Sequence, residues 1–199
     1  MINFFTISAP SGSGKTTLCK AIQIARPEMK WSVSYTTRRK RIIEKNGIDY
    51  HFISPKKFNH LIDNDHFIEW ENVHGFYYGT SKETLINTIR NEEKMLMEVD
   101  VNGSMKIKEL YPKKTFSIFI MPPSIGHLRK RLERRGTDSM ARIEVRLKRF
   151  TEEVSLKERF DHVIINEKLE KAKLELIDIL DKKIKGVKNG IENHTISRD

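Results

Sequence analysis

Cysteine is nearly absent from this chain: Cys19 stands alone among 199 residues. No internal disulfide can form, which excludes a disulfide scaffold and favours a reducing compartment. The seven histidines (His51, His60, His66, His74, His127, His162 and His194) show no HxxxH or CxxC-like spacing, which argues against a zinc site. No apolar run approaches the roughly 20 residues that a membrane span needs. The stretch Met1 to Ile7 has no basic region before its apolar residues and no small-residue cleavage site after them. The expectation is a soluble cytoplasmic protein without a membrane partner. Repeats, low-complexity linkers and the aromatic stacking motifs of RNA readers are also missing.

What the chain has in excess is positive charge, with a formal net charge of +10. Such a surface attracts polyanions, either nucleic acid or the phosphates of a small substrate. Most of the 37 Lys and Arg residues are expected on a solvated surface. The arginines that cluster beside glycines and carboxylates carry more information. The length suits one domain with a core of its own.

Strand-like and helix-like segments alternate. Asn3 to Ser8 predicts a strand, and a helix follows from about Gly14 to Ala25, stopped by Pro27. Trp31 to Tyr35 and Asp49 to Ile53 read as strands, with a basic polar loop between them. Ser54-Pro55 starts a helix with an apolar face of Phe58, Leu61 and Ile62. Phe67 to Glu71 and Phe76 to Tyr78 read as short strands. Thr80-Ser81-Lys82-Glu83 has the pattern of a capping box opening another helix. Lys94 to Val101, Phe116 to Met121 and His162 to Ile165 predict buried strands. Helices are expected from Ser124 to Gly136, from Ser139 to Ser155, and over Leu169, Ala172, Leu176, Leu180 and Ile184. Such alternation predicts an α/β fold with a parallel sheet covered by helices on both faces. The Phe67 to Tyr78 stretch and the Arg-rich helix pair break the rhythm, as two inserts on opposite sides of a core would.

Ala9-Pro10-Ser11-Gly12-Ser13-Gly14-Lys15-Thr16-Thr17 joins the first strand to the first helix. It matches G-x-x-x-x-G-K-[ST] except at Ala9. Backbone N–H groups and a helix N-terminus there can cradle phosphates. Lys15 can reach the β- and γ-phosphates and the Thr16 hydroxyl can ligate Mg²⁺. Ala9 keeps its N–H and is harmless unless the position needs positive φ.

Further along, Arg38 and Arg41 can form a guanidinium clamp, and Tyr50 and Tyr78 can each donate a phenolic hydrogen bond to a phosphate. Glu69 is a strand carboxylate that can accept two adjacent donors. Asp100 ends an apolar strand and faces the crevice where α/β sheets bind nucleotides, with Glu98 on the same face.

Together these stretches resemble the guanylate kinase family from about Phe4 to Leu180. The resemblance is carried by the phosphate loop; Ser34 to Arg41 with Gly47 to Phe52; Phe67 to Glu69 with Val73 to Thr80; Glu98 to Gly103; and Arg131-Leu132, Arg134 to Ser139 and Arg146-Leu147. It implies a P-loop NTPase-type core (residues 1–35, 81–123 and 156–186), a small GMP-binding insert (36–80), a helical lid (124–155) and a flexible tail (187–199). It implies ATP and GMP as substrates, with Mg²⁺. Ser11 to Thr17 and Ala9 would hold ATP phosphates. Arg38, Arg41, Tyr50 and Tyr78 would hold the GMP phosphate, and Glu69, Ser34 and Thr80 the base. Thr80 also suits a helix cap. Asp100 would meet the guanine amine or a metal-bound water. Lys15 with the lid arginines Arg131, Arg135 and Arg146 would stabilise the transferring phosphoryl group, and Asn166 would lie near the adenine. The chain departs from the family pattern at Ala9, Phe76, Met140-Ala141 and Glu167-Lys168. Two other readings of the scaffold are a ribose-bisphosphate kinase, which has no need for a purine-reading Glu69, and a phosphopeptide-binding module, which has no need for Lys15-Thr16. Oligomeric state and dGMP use are not legible.

Overall fold

The computed structural model describes residues 1–73, 75–135 and 139–186, with Arg135 described in its backbone only. Asp138 and the expected tail after Gly186 lie outside the described residues. In chain order the elements are β1 (Phe4–Ser8), α1 (Lys15–Ala25), β2 (Lys30–Trp31), β3 (Tyr35–Thr36), β4 (His51–Phe52), α2 (Pro55–Asp63), β5 (Phe67–Val73), β6 (Phe76–Ser81) and α3 (Lys82–Arg90). They continue with β7 (Met95–Glu98), α4 (Val101–Leu110), β8 (Thr115–Met121), α5 (Ile125–Arg135), α6 (Met140–Ser155), β9 (His162–Ile165) and α7 (Leu169–Lys185).

One sheet is five-stranded and parallel, in the order β2-β7-β1-β8-β9. β1 lies at its centre, and all five of its residues are buried, as a strand covered on both faces requires. Its side chains alternate between two cores. Phe5 and Ile7 join Leu18, Cys19 and Ile22 of α1 and Ala172, Leu176 and Leu180 of α7. Phe4 faces the other way, against Leu85 of α3, Met97 of β7 and Ile107 of α4. Thr6 on that second face shares a 2.6 Å hydrogen bond with Ser104 of α4. α5 and α6 pack together around a small core of their own, Leu128, Leu132, Ile143, Leu147 and Phe150.

A second sheet has the order β4-β3-β6-β5, with antiparallel β3·β6 and β5·β6 pairs. Phe58 of α2 seals one side of it, stacking on Phe67 and Tyr77 at ring separations of 4.6 and 5.4 Å. Gly79 is required there, because a Cβ would lie 2.9 Å from Phe67 and 3.0 Å from Phe58.

Three local expectations are corrected and one helix is added. Trp31 to Tyr35 is not one strand: the chain leaves the first sheet after Trp31 and enters the second at Tyr35. Alternation marks extended chain and does not identify which sheet receives it. Asp49 to Ile53 shortens to His51–Phe52, because Asp49 is held in a turn, accepting from the Lys45 N–H at 2.8 Å. The capping box does not form: Ser81 is the N-cap of α3 without a side-chain bond, and the Thr80 hydroxyl donates to Glu69 instead. Finally, α4 is a helix that the sequence pattern did not announce. Asp100 caps it, accepting from the Gly103 N–H at 2.7 Å. Gly103 is a poor helix former. It is needed because a Cβ there would lie 2.8 Å from a Glu69 carboxylate oxygen.

Candidate active site

The phosphate loop begins where β1 ends, between β7 and β8, at the carboxyl edge of the sheet. Gly12 and Gly14 adopt φ values of 94° and 93°, which only glycine takes readily. Ala9 is not among the positive-φ residues, so its departure from glycine costs no backbone strain. Below the loop, the Asn166 side-chain amide donates to the Ser13 carbonyl at 2.7 Å. Arg131 of α5 donates in turn to the Asn166 carbonyl at 2.7 Å. The Lys15 ammonium donates to the Val99 carbonyl at 3.0 Å, and the Thr16 hydroxyl to Glu98 at 2.8 Å. Helix α1 starts at Lys15, so its N-terminus points into the loop.

A cleft of about 580 Å³ opens in front of this loop. One wall is Ala9 to Gly12 and Gly14 to Thr17. Facing it are Ser34, Arg41, Tyr50, Glu69, Tyr78 and Asp100, with Glu71 and Glu98 alongside. Residues from both sheets therefore share one cavity. Burial pushes the Tyr50 phenol up, keeping it a donor.

Glu69 sits deepest. Burial raises its carboxyl to about 7, Asp100 and Glu71 add to the rise, and the Thr80 hydrogen bond opposes it. Thr80 itself is buried, as is Ser34. Asp100 is fixed by its cap bond to Gly103 and lies 3.7 Å from Arg149.

Arg38 stands behind the wall and is not itself a lining residue. It is a fork on Glu44, at 3.0 and 2.7 Å, and lies 5.5 Å above the Tyr50 ring. The Arg41 backbone also donates to Glu44 at 2.8 Å while its side chain remains mostly exposed. The expected pair of arginines is thus assembled around one carboxylate that the sequence reading passed over. Glu44 lies in a basic run, and that was the signal available.

Asn166, expected near the adenine, braces the loop with a buried side chain. Among the expected lid arginines, Arg131 places one Nη on the Asn166 carbonyl, Arg146 is half-buried on α6, and the Arg135 side chain lies outside the described residues. The lid residues that do line the cleft are Arg149 and Glu153, neither of which was singled out. Their signal was spacing: Arg146, Arg149 and Glu153 fall on one helix face. Phe76 is 40% exposed at the start of β6 and does not line the cleft.

No helix among the described residues is long and apolar enough to cross a membrane. Nor does any group of three or more His, Cys, Asp or Glu among them converge to hold a metal alone. The hydroxyl and carboxylate oxygens of Thr16, Glu98 and Asp100 are nevertheless the hard donors that suit Mg²⁺ shared with phosphates.

Comparison with known proteins identifies relatives over most of the chain. A family model described as guanylate kinase matches residues 2–183. A guanylate kinase from Polaromonas is 42% identical over 178 residues, covering 89% of this chain and 86% of that protein. One from Carboxydothermus hydrogenoformans is 39% identical over 174 residues, covering 87% and 85%. The crystal structure of guanylate kinase from Anaplasma phagocytophilum superposes with a TM-score of 0.72 at 31% identity, covering 92% of this chain and 86% of that one. On the strength of the loop, the two-sheet cleft and these matches, the chain belongs to the guanylate kinase family.

Proposed function

We propose that this protein transfers the γ-phosphoryl group of ATP to GMP, giving ADP and GDP, in purine nucleotide metabolism of the cytoplasm. The observation that carries the reading is the one cleft shared by the half-buried Glu69 and the Lys15 loop. A half-buried carboxylate held by Thr80 accepts the ring N–H and the exocyclic amine of guanine. Adenine would leave it unpaired, at a cost that discriminates strongly. Ser34 and Thr80 complete the base contacts, with Asp100 at the amine.

Arg41, Tyr50 and Tyr78 take the GMP phosphate, and Arg38 joins them when Glu44 releases part of its fork. The loop from Ala9 to Thr17 takes the ATP phosphates. Mg²⁺, when bound with ATP, would be met by Thr16 and by Asp100 through water, and it neutralises phosphate charge. An oxygen of the GMP phosphate forms a bond to the γ-phosphorus. The bond from that phosphorus to the bridging oxygen breaks, and its electron pair stays on ADP. No general base is needed, because the attacking oxygen is already ionised. Lys15 and the lid arginines Arg131, Arg135 and Arg146 stabilise the moving charge. In this reading residues 36–80 act as the acceptor lobe and 124–155 as the lid, closing to exclude water.

The test is ADP release with Mg-ATP and GMP, dGMP, AMP, CMP or UMP in turn. Turnover confined to the guanine nucleotides is expected. Equal turnover with AMP would remove Glu69 from base reading, and no turnover with any acceptor would overturn the activity.

A further inference from the structure

The reading of the cleft as a GMP-phosphorylating site leaves one of its cations without a role. Arg149 is on α6, one turn beyond Arg146, and its side chain is 28% exposed. Its Nε donates to Glu153 at 2.8 Å. Its Nη2 lies 3.7 Å from Asp100 Oδ2, beyond hydrogen-bond reach, and that oxygen has no hydrogen-bond partner. A guanidinium has five N–H donors in a rigid fork, so one edge is anchored and the other remains to be used.

The location is specific. Asp100 follows Val99, whose carbonyl holds the Lys15 ammonium at 3.0 Å. Lys15 and Arg149 therefore flank the same two residues of the chain, one from the loop and one from the lid. Glu98, Asp100 and Glu153 stand between and beside them. Three carboxylates around two cations form a place holder for phosphate: the cations are fixed at the cleft, and an incoming polyanion competes for them. A solvent-facing i,i+4 pair would be worth a few tenths of a kcal/mol and would be decoration. Here Glu153 is 14% exposed, and both side chains line the cleft.

We propose that Arg149 is a catalytic residue, oriented by Glu153, whose outer edge passes from Asp100 to the transferring phosphoryl group once both substrates are bound. Its contact develops as charge spreads over the three equatorial oxygens while the bond to the GMP oxygen forms and the bond to ADP breaks. Transfer of that edge also frees Asp100 for the acceptor. Glu153 is a positioning residue that keeps Nε occupied.

The experiment compares the wild-type chain with Arg149→Ala, Arg149→Lys and, as a control on the exposed face of α6, Lys148→Ala. Steady-state kinetics are read for GMP and Mg-ATP. Arg149→Ala is expected to lower kcat by about 30- to 100-fold while both KM values move less than about threefold, as for one lost transition-state donor. Added guanidinium ion should restore part of that rate, which a merely structural role would not show. Lys148→Ala should match the wild type. A kcat for Arg149→Ala within about threefold of wild type, or a loss confined to KM, overturns the proposal. If circular dichroism shows the alanine variant unfolded, Arg149→Lys decides: it keeps the charge without the fork, and an undiminished kcat overturns the proposal. A wild-type chain silent with GMP overturns the reading of the site itself, separately from Arg149.

Discussion

Glu69 makes the acceptor site sensitive to protons. With its carboxyl at about 7, a substantial fraction is protonated near neutral pH in the free protein. Guanine donors prefer the ionised form, so GMP binding should release a proton. Affinity is then expected to rise from pH 6 to 8 and level off above, weakening about tenfold for each pH unit below 7. Calorimetry in buffers of different ionisation enthalpy measures the released proton, and Glu69→Gln should bind GMP weakly with no such pH dependence. The same shift sets the sign for folding. The native state holds the proton from the ordinary 4.5 up to about 7, where the unfolded chain has lost it. Stability of the ligand-free protein should therefore fall across that window by up to about 3 kcal/mol, and be complete below it. Urea titrations at pH 4.5 and 7.5 should show a smaller difference in Glu69→Gln. At the loop, Lys15→Met should abolish turnover with an unchanged circular dichroism spectrum; normal turnover would remove Lys15 from the reaction. Lys15, Thr16 and Glu69 were legible because each sits in a short motif whose chemistry is local. Glu44, Arg149 and Glu153 were not, because a carboxylate in a basic run and one more arginine on a helix look like solvated surface until a cavity meets them.

Between elements, close approach decides what each position tolerates. A Cβ at Gly14 would stand 2.4 Å from the Asn166 amide, which is itself pinned to the Ser13 carbonyl. Gly14→Ala therefore meets both strained φ and a neighbour unable to withdraw. It should cost about 1–3 kcal/mol of stability and most of the ATP affinity, measured by thermal unfolding and nucleotide titration. Phe58→Ala removes a side chain with no exposed surface beneath the second sheet. A loss of about 3–5 kcal/mol is expected, with hydrogen exchange rising first in β3, β5 and β6. If exchange rose uniformly instead, the second sheet would not be a separate unit of stability. The amphipathic helices were readable because their period is local: Ser54 and Ser139 cap where the pattern placed them, accepting from Lys57 and Arg142. Helix α4 was hidden by Gly103, whose requirement comes from Glu69 more than thirty residues away. The strand over Trp31 to Tyr35 was misjoined because strand partners are chosen by distant segments.

For the molecule as a whole, the alternating rhythm was enough to imply a parallel sheet, while the order β2-β7-β1-β8-β9 rests on pairings no local pattern carries. The α5–α6 pair keeps its own small core. Such an arrangement suits rigid pieces turning about short connections. Mg-ADP with GMP is expected to reduce the radius of gyration in small-angle scattering more than either alone. An unchanged profile would argue against lobe and lid closure.

Cys19 lies in the centre of α1 with no exposed surface, and burial pushes its thiol well up. A thiol reagent can reach it only when that helix lifts from the sheet. As the one sulfhydryl in the chain, it is a built-in clock for this event. Its labelling rate would count how often the phosphate-binding helix opens, and each nucleotide could be ranked by how far it slows the clock, without attaching any probe.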